Sequence, residues 1–448
     1  MFKKVLALAL VIVMALSVCV SFASCADGKE EDTTAASTNG ETNGTDNGTE
    51  NGTKADEVSA NISKVKLGVI LLHDENSTYD LNFINGVEEA KKALGMTDAQ
   101  VILKRNIPES EKCAEAARDL VDEGCNVIFA DSFGHESFLL TVAKEFPDVQ
   151  FCHATGTTAH TENQDNFHNA FASIYEGRYL AGVAAGMKLN ELKKEGKLKG
   201  EVPTMGYVGA YTYAEVISGY TSFYLGAKSV CEDVVMKVMF TGSWYDETEE
   251  KNAAEALIAA GCDLISQHAD SMGAPAACES AGIPNVSYNG STEKACPNTF
   301  IVSSRINWGT YFRYICNAVA DGKPIAKDFV GTIADDAVVL TEIGGIAPAA
   351  GTAEKLAEVK AQLCATENKL HVFDVTKFTV TVGDGKNGNA KVDADGHLTS
   401  YLADVDTDAE FKGDTEVVEN GYFHESEKRS APYFDVQIDG ITLLNAKY

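Results

Sequence analysis

The chain has 448 residues, more than the usual domain of about 100 to 200, so two lobes with large cores are expected. A formal charge of −29 makes nucleic acid and anionic lipid surfaces poor partners for the folded body. The eleven cysteines contain no CxxC pair, so neither a zinc site nor a disulfide framework is expected, and those of the body are predicted to be free and buried.

The first 24 residues have the layout of a secretory signal peptide. Lys3 and Lys4 precede an unbroken apolar run from Val5 to Leu16, and small residues follow. The segment ends in SFASC, which is similar to the cleavage and lipidation signal of bacterial lipoproteins, so Cys25 is the predicted lipidation site. An uncleaved membrane anchor is the alternative, because the apolar character approaches the roughly 20 residues that a span needs. Both interpretations predict an exported body tethered to the outer face of the cell membrane.

The stretch from Cys25 to residue 64 is predicted to be a disordered linker. Between Ala26 and Glu57 it is polar, acidic and nearly repetitive, with several Asn-Gly-Thr triplets. Such a composition buries too little apolar surface to offset the entropy of ordering. Its predicted role is to give the tethered body reach.

From residue 65 to residue 365, short apolar runs alternate with helical patterns. KLGVILL, VILK, NVIFAD and VQFCHA have the length and composition of buried strands. Between them, NFINGVEEAKKALG places Phe83, Val87 and Leu94 on one helix face. After about residue 200 the alternation restarts with TMGYVGA and VVMKVMFTGS, and Asp246 with Glu249 is predicted to form a capping box. The pattern predicts an α/β fold of two Rossmann-like, parallel-sheet lobes.

Two stretches repeat each other, LVDEGCNVIFAD (Leu120–Asp131) and LIAAGCDLISQHAD (Leu257–Asp270). Each is typical of a helix that ends at a glycine, followed by a buried strand and then polar residues. Ligands of open α/β sheets bind at the carboxyl ends of strands, so the polar residues there are candidates for a shared cleft. These candidates are Asp131, Ser132, His268, Asp270 and Ser271. Chance resemblance is the alternative, because a glycine before an apolar strand is common.

From about Lys66 to about Ile343 the chain resembles the basic membrane protein family of lipoproteins. The resemblance is carried by the order and spacing of ADSFGHESFLLTVAKEFPDVQFCHATG, YEGRYLAGVAAG, MGYVGAYTYAEVISGYTSFYLGAKSV, GSWYDETEEKNAAEALIAAGCDLISQHADS and INWGTYF. Members are substrate-binding subunits of ABC transporters with the type I periplasmic-binding-protein fold. The chain resembles in particular the branch associated with purine or purine nucleoside ligands. The resemblance implies a small-molecule ligand between two hinged lobes, with permease and ATPase subunits as partners.

The implied hinge lies near Ala172 and Ser304, where the chain would cross between the lobes. The first lobe is assigned residues 65–172 and 304–328, and the second lobe residues 173–303 and 329–365. Rotation about this hinge would close the lobes over the ligand.

The resemblance also implies residues that contact a purine. In the family an aromatic residue stacks on the base seven positions before a helix glycine, and here Tyr79 stands seven before Gly86. Trp244 in SWYD matches the aromatic residue of the second lobe, so a purine would lie between the two rings. The polar residues at the strand ends would bind the edge of the base. Asn307 and Trp308 are expected to reach the cleft from the segment that returns to the first lobe.

Several of these assignments have alternatives. Tyr79 could be an aromatic residue of a surface loop, and Trp244 could pack beneath the helix that follows it. Asp270 could cap a helix, and His268 could be a buried histidine with satisfied hydrogen bonds.

One position departs from the family pattern. Members often carry an acid after the strand that reads NVSYN here, commonly placed against a ribose, whereas this chain has Ser291 and Thr292. A free purine base or another flat heterocycle is therefore at least as well supported as a nucleoside. Asn289 is a candidate to compensate for the missing acid.

Residues 366–448 are predicted to be a β-rich accessory region on the second lobe. The sequence VFDVTKFTVTVGDGKNGNAKVDADGHLTSY alternates as hairpins do, with Gly, Asn and Asp at the turns. Its GxGxxG has no helix after it, and Asp393-Ala-Asp395-Gly lacks the distal Glu of a calcium loop, so both are predicted to be turns. No cofactor or metal is expected.

The predicted function is that of a lipid-anchored solute-binding protein of an ABC importer that captures a purine base or nucleoside. The chain has no GxSxG, HExxH or Walker pattern to nominate catalytic residues, so an enzyme is not expected. A membrane-tethered sensor, or a binding protein for a sugar or another heterocycle, is the alternative, since either would also bind and close.

Overall fold

The structure is a computed structural model that describes residues 58–383, 385–406, 410 and 412–445. The predicted signal peptide, the lipidation site Cys25 and most of the predicted linker lie outside these residues. Within the described part, no helix is long and apolar enough to cross a bilayer. The predicted linker extends to residue 64, but Ser59 already packs on the first lobe, where its N–H donates to Asn317 Oδ1 at 3.0 Å. A 3-10 turn follows at Ile62–Lys64, so the folded body starts earlier than predicted.

The first lobe contains a sheet of six parallel strands. They are β1 (Leu67–Ile70), β2 (Val101–Lys104), β3 (Val127–Ala130), β4 (Gln150–Ala154), β5 (Phe167–Ala172) and β11 (Asp328–Gly331). Their order across the sheet is β11-β5-β4-β3-β1-β2. Helices α1 (Thr78–Leu94) and α8 (Trp308–Asp321) cover one face, and α2 (Glu111–Asp122) and α3 (Glu136–Glu145) cover the other. Both faces of the sheet are therefore buried, which explains its nearly continuous apolar strands.

The second lobe contains a sheet of seven strands. They are β6 (Thr204–Gly209), β7 (Val235–Phe240), β8 (Leu264–His268), β9 (Asn285–Tyr288), β10 (Phe300–Ile306), β12 (Val338–Leu340) and β18 (Ile441–Leu443). Their order is β12-β10-β9-β8-β6-β7-β18, and the pairing of β12 with β10 is antiparallel. The helices are α4 (Ile174–Lys194), α5 (Ala214–Lys228), α6 (Glu247–Ala259), α7 (Gly273–Ala281) and α9 (Thr352–Leu363). The prediction of two α/β lobes with parallel sheets is confirmed.

The two repeated stretches occupy equivalent places in the two lobes. Gly124 and Gly261 follow their helices with φ of 88° and 89°, a conformation that favours glycine. Strands β3 and β8 come next and hold the same position in the strand orders β5-β4-β3-β1-β2 and β10-β9-β8-β6-β7. The sequence repeat therefore reflects a repeated β/α architecture.

The start of α6 corrects one predicted cap. Asp246 Oδ1 accepts the N–H groups of Thr248 and Glu249, as an N-cap aspartate does. The acid that accepts the N–H of Asp246 is Glu250, at 3.2 Å, and not Glu249. Glu249 faces solvent whereas Glu250 is buried, because Glu250 lies on the side of α6 that packs against the loop after β8.

Three segments cross between the lobes. The first passes through Ser173, next to the predicted point, and leads into α4. The second follows Ile306 rather than Ser304, because β10 remains paired in the second sheet up to that residue. The third occupies residues 332–337, because β11 pairs with β5 and so keeps Asp328–Gly331 in the first lobe. The predicted end of the first lobe at residue 328 is therefore too early, because the rest of β11 also belongs to that lobe.

The region after residue 365 contacts both lobes. Strand β18 pairs in parallel with β7 and forms an edge of the second sheet. On the other side, the N–H of Ser430 donates to Asp328 Oδ1, on β11 of the first lobe, at 2.9 Å. The remaining strands are antiparallel and short: β13 (Ala390–Val392), β14 (Leu398–Ala403), β15 (Thr415–Glu416), β16 (Val418–Glu419) and β17 (Tyr422–Phe423). The prediction that this region attaches to the second lobe alone is therefore corrected, because it contacts both lobes.

The nine cysteines of the described residues form no disulfide, and all except Cys364 are buried. Burial raises the pKa of the Cys113 thiol to about 12, so that thiol stays protonated at neutral pH. The predicted burial of these thiols holds for eight of the nine cysteines, and Cys364 is the exception.

Candidate ligand-binding cleft

The carboxyl ends of the strands of the two sheets face each other across a closed cleft. Thr78, at the start of α1, donates through its N–H and its hydroxyl to the carbonyl oxygen of Asp270, at 3.0 and 3.2 Å. At the mouth, the Phe133 and Tyr213 rings lie 5.6 Å apart. These contacts join the first lobe to the second directly. The space between the atoms that line the cleft is about 380 Å³, which includes solvent at its mouth.

Both lobes contribute side chains to this cleft. The first lobe supplies Leu72, Tyr79, Asp80, Ser132, Phe133 and Thr155. The second lobe supplies Glu215, Trp244, His268, Asp270 and Tyr288. Tyr79, Ser132, Trp244, His268 and Asp270 were candidates from sequence, and the structure brings all five together. Aromatic rings and carboxyl groups dominate the lining, so the cleft offers flat surfaces and hydrogen-bond acceptors.

Tyr79 and Trp244 line the cleft from opposite lobes. The Tyr79 hydroxyl donates to the carbonyl oxygen of Asp131 at 2.7 Å, and its ring meets Phe83 edge-on with centroids 4.9 Å apart. Trp244 stands on the loop after β7 and meets Tyr211 edge-on at 5.1 Å. Each ring is therefore fixed by its own lobe, which reduces the entropy that binding must remove. That the two rings enclose a heterocycle stays a prediction.

Asp131 lies behind the cleft wall instead of in it. Its carboxylate accepts the N–H of Leu72 at 3.0 Å and is fully buried. Burial, together with the nearby Asp80, raises its pKa well above the ordinary aspartate value. Asp131 thus holds the loop after β1 and the hydroxyl of Tyr79, and the predicted direct contact with a ligand is corrected to a supporting role. Ser132 does line the cleft, and its hydroxyl donates to Glu109 Oε1 at 2.6 Å.

Asp270 and Ser271 have different roles although they are adjacent. The Asp270 side chain lines the cleft, and burial followed by repulsion from Glu250 and Asp80 raises its pKa well above 3.8. Ser271 Oγ accepts the N–H of Gly273 at 3.1 Å at the start of α7, and its own N–H donates to Glu250 at 3.1 Å. Ser271 is fully buried, its hydroxyl oxygen is bound by the N–H of the first residue of α7, and it does not line the cleft, so its predicted ligand contact is corrected.

His268 connects the cleft to the interior of the second lobe. Its Nε2 lies 3.3 Å from Glu215 Oε1, and its ring centroid lies 4.6 Å from that of Tyr288. The Arg178 guanidinium packs over the ring of Tyr288, 4.1 Å from its centroid. Burial lowers the pKa of His268, against the raising effect of Glu215. A neutral imidazole at this place can donate or accept one hydrogen bond.

Three further candidates lie outside the cleft lining. Trp308 is 1% exposed and stacks on Phe83 at 4.4 Å in the core between α1 and α8, so its predicted access to the cleft is wrong. Asn307 directly precedes α8 and donates hydrogen bonds to the carbonyl oxygens of Ala337 and Asp336 in the third crossing, which makes it a hinge residue. Asn289 is buried, and its side chain lowers the pKa of Asp270 against the raising effect of burial.

Six residues of the lining were not predicted from the sequence: Leu72, Asp80, Phe133, Thr155, Glu215 and Tyr288. The repeated architecture could have revealed some of them. Tyr79 is the second residue of α1, which follows β1, and Glu215 is the second residue of α5, which follows the equivalent strand β6. Thr155 after β4 and Asn289 after the equivalent β9 share φ near +60°, at 64° and 63°. Superposing the two lobes in sequence would have nominated Glu215.

Comparison with a family model shows to which protein family the chain belongs. The Bmp family, described as ABC transporter substrate-binding protein PnrA-like, matches residues 68–364. The chain belongs to the Bmp family. The resemblance to basic membrane proteins and the prediction of a binding protein rather than an enzyme are thereby confirmed, and residues 365–448 fall outside the family match.

Known proteins resemble the chain in sequence and in fold. A purine-binding protein of Brucella abortus is 35% identical over 52% of this chain and 63% of its own length. A putative ABC transporter glucose-binding protein of Haloferax volcanii is 31% identical over 55% of this chain and 57% of its own length. The chain thus matches less than two thirds of either relative. An ABC transporter solute-binding protein of Conexibacter woesei matches in fold with a TM-score of 0.56 and 19% identity, over 68% of this chain and 98% of its own.

A group of possible metal ligands lies away from the cleft of this Bmp protein. Among the described residues, Asp393, Asp395 and His397 come close enough to hold an ion together. They form the turn between β13 and β14, where Asp393 Oδ1 already accepts the N–H groups of Asp395 and His397 at 3.0 and 2.9 Å. The hydrogen bonds of an ordinary turn account for this arrangement.

Proposed function

We propose that the chain is the lipid-anchored, exported solute-binding subunit of an ABC importer and that it captures a purine base or purine nucleoside. The observation that supports this best is the cleft itself, which combines aromatic rings from both lobes with carboxyl acceptors and closes through direct contacts between the lobes. The permease and ATPase subunits of the importer are its proposed partners. Cys25 is the proposed site of the lipid.

The chemistry of the lining favours a flat ligand that carries hydrogen-bond donors. Tyr79 and Trp244 offer ring faces, on which a heterocycle stacks at small cost in side-chain entropy. Asp80, Glu215 and Asp270 offer oxygens to N–H or O–H groups. Purine bases and nucleosides have both features.

The charge of the lining also restricts the ligand. None of the described residues that line the cleft is Lys or Arg, whereas three are acids. A phosphate group would therefore meet repulsion and find no cationic partner. The proposed ligand is unphosphorylated.

The same features would suit a sugar, whose hydroxyl groups bind carboxylates and whose apolar face stacks on aromatic rings. The relative named as a glucose-binding protein supports this second candidate. A membrane-tethered sensor would close over its ligand in the same way. It would differ from a transport subunit in its partner protein and not in its cleft.

The test is to identify the molecule that co-purifies with the protein. The protein is denatured, and the released compounds are identified by mass spectrometry, with the Trp244→Ala variant as the matched sample. A thermal-shift screen of bases, nucleosides and sugars supports the identification, because a ligand of the native state raises apparent stability. A purine or nucleoside that is depleted from the variant is the expected result. A sugar in its place would overturn the purine assignment.

A further inference from the structure

Glu215 occupies the place in the second lobe that Tyr79 occupies in the first. Each is the second residue of the helix that follows the equivalent strand, β6 or β1. The architecture therefore directs both side chains toward the cleft, and both line it. The two lobes present different chemistry at equivalent positions, a ring from the first and a carboxylate from the second.

The Glu215 carboxylate is held from behind by a fixed partner. His268 Nε2 lies 3.3 Å from its Oε1, and His268 is its hydrogen-bond partner among the described residues. The imidazole itself has little freedom, because its other nitrogen faces Gly219, where an added Cβ would lie 2.7 Å away. Tyr288 packs on its ring. A carboxylate oriented in this way keeps accepting capacity for the cleft.

The acid expected after β9 is absent, and the residues in its place do not line the cleft. Ser291 is exposed, and Thr292 is buried with its hydroxyl 2.7 Å from that of Ser287. Asp80, the acid of the first lobe, is bound by the N–H of His73 at 2.7 Å. Glu215 therefore supplies a carboxylate from an element different from the one that the family pattern indicates.

We propose that Glu215 determines specificity by accepting hydrogen bonds from donors on the ligand, either the exocyclic amino group of a base or the hydroxyls of a ribose. This inference rests on the proposed purine ligand and extends it to the group that reads the ligand. A carboxylate with a donor pair forms charge-assisted hydrogen bonds, which are stronger than neutral ones. Ligands that lack such donors gain nothing from Glu215.

The experiment compares Glu215→Gln with the wild type by calorimetry across a ligand series. The series contains adenine, guanine, adenosine, guanosine, their 2′-deoxy and 3′-deoxy forms, and unsubstituted purine. We expect Glu215→Gln to weaken the donor-bearing ligands by about 10-fold to 100-fold, the range for losing a hydrogen bond to a charged group. Unsubstituted purine should change by less than about 3-fold. Glu249→Gln, an exposed acid in the first turn of α6, should leave all affinities unchanged.

The ligand series distinguishes hydrogen-bond donors on the base from donors on the ribose. A loss that is present with free bases assigns the contact to the base, and a loss that appears with nucleosides and vanishes with the deoxy forms assigns it to the ribose. An equal loss for every ligand, unsubstituted purine included, would show a structural role and overturn the inference. An affinity unchanged for every ligand would do the same while leaving the purine function intact. If the wild type binds no member of the series, the proposed function itself fails, and this inference fails with it.

Discussion

The buried carboxyl of Glu250 should make the stability of the protein depend on pH. It is fully buried and accepts N–H groups from Asp246 and Ser271, at 3.2 and 3.1 Å. Burial raises its pKa from 4.5 to about 7, although these hydrogen bonds oppose the rise. Between those two values the folded protein holds a proton that the unfolded chain releases. The free energy of unfolding therefore falls as pH rises from about 4.5 to about 7, by about 3 kcal/mol at 1.36 kcal/mol per pH unit.

The variant Glu250→Gln isolates this contribution. Glutamine keeps a carbonyl oxygen for the same N–H groups but does not titrate. Other buried acids with raised pKa, Glu425 and Asp328, contribute equally to both proteins and cancel in the comparison. Repulsion from Glu250 also raises the pKa of Asp270. This rise is smaller in Glu250→Gln, so the change at Asp270 also makes the stability of the variant depend less on pH than that of the wild type.

The assay is urea unfolding of the wild type and Glu250→Gln at pH 5 and pH 8. We expect the wild type to lose about 3 kcal/mol more than the variant between the two pH values. Glu249→Gln, the exposed neighbour, should follow the wild type. Equal losses in the wild type and Glu250→Gln would refute the reasoning.

Three further experiments test the cleft, the core and the membrane tether separately. Tyr79→Ala and Trp244→Ala should each weaken purine binding by about 1 to 3 kcal/mol in calorimetry, the range for one stacked base, and unchanged affinity in both would reject the sandwich. Trp308→Ala should instead lower the free energy of unfolding by about 3 to 5 kcal/mol, because it empties a core site, and a variant as stable as the wild type would contradict this placement. Cys25→Ser should release the protein from the membrane fraction, while Cys19→Ser should not, and equal retention of both would exclude a lipid on Cys25.

Local patterns in the sequence predicted the lobes and much of the cleft. The repeated stretches fixed β3 and β8, and the residues that follow these strands include Ser132, His268 and Asp270, which do line the cleft. Periodicity could not show that Trp308 faces inward, since that depends on the packing of α8 against α1.

Glu215 and Glu250 were missed for a different reason. Each is an acid in the first turn of a helix, and in α6 three acids, Glu247, Glu249 and Glu250, lie in that turn, so the sequence does not tell which one faces inward. The orientation of each helix against its sheet decides this. The same limit applies to β11, whose membership of the first sheet depends on pairing with β5, more than 150 positions earlier in the chain.

Strand β18 has a consequence for how the protein can be shortened. The family match ends at residue 364, which makes that residue an inviting place to truncate the chain for expression. Such a fragment would lose the strand that pairs with β7 and would leave the backbone N–H and C=O groups of VMKVMF open along one edge. Unprotected edges of this kind recruit strands from other molecules, so the shortened protein is expected to self-associate. The last residues of the described chain thus cover the edge of a sheet whose other strands lie more than 100 positions earlier in the sequence.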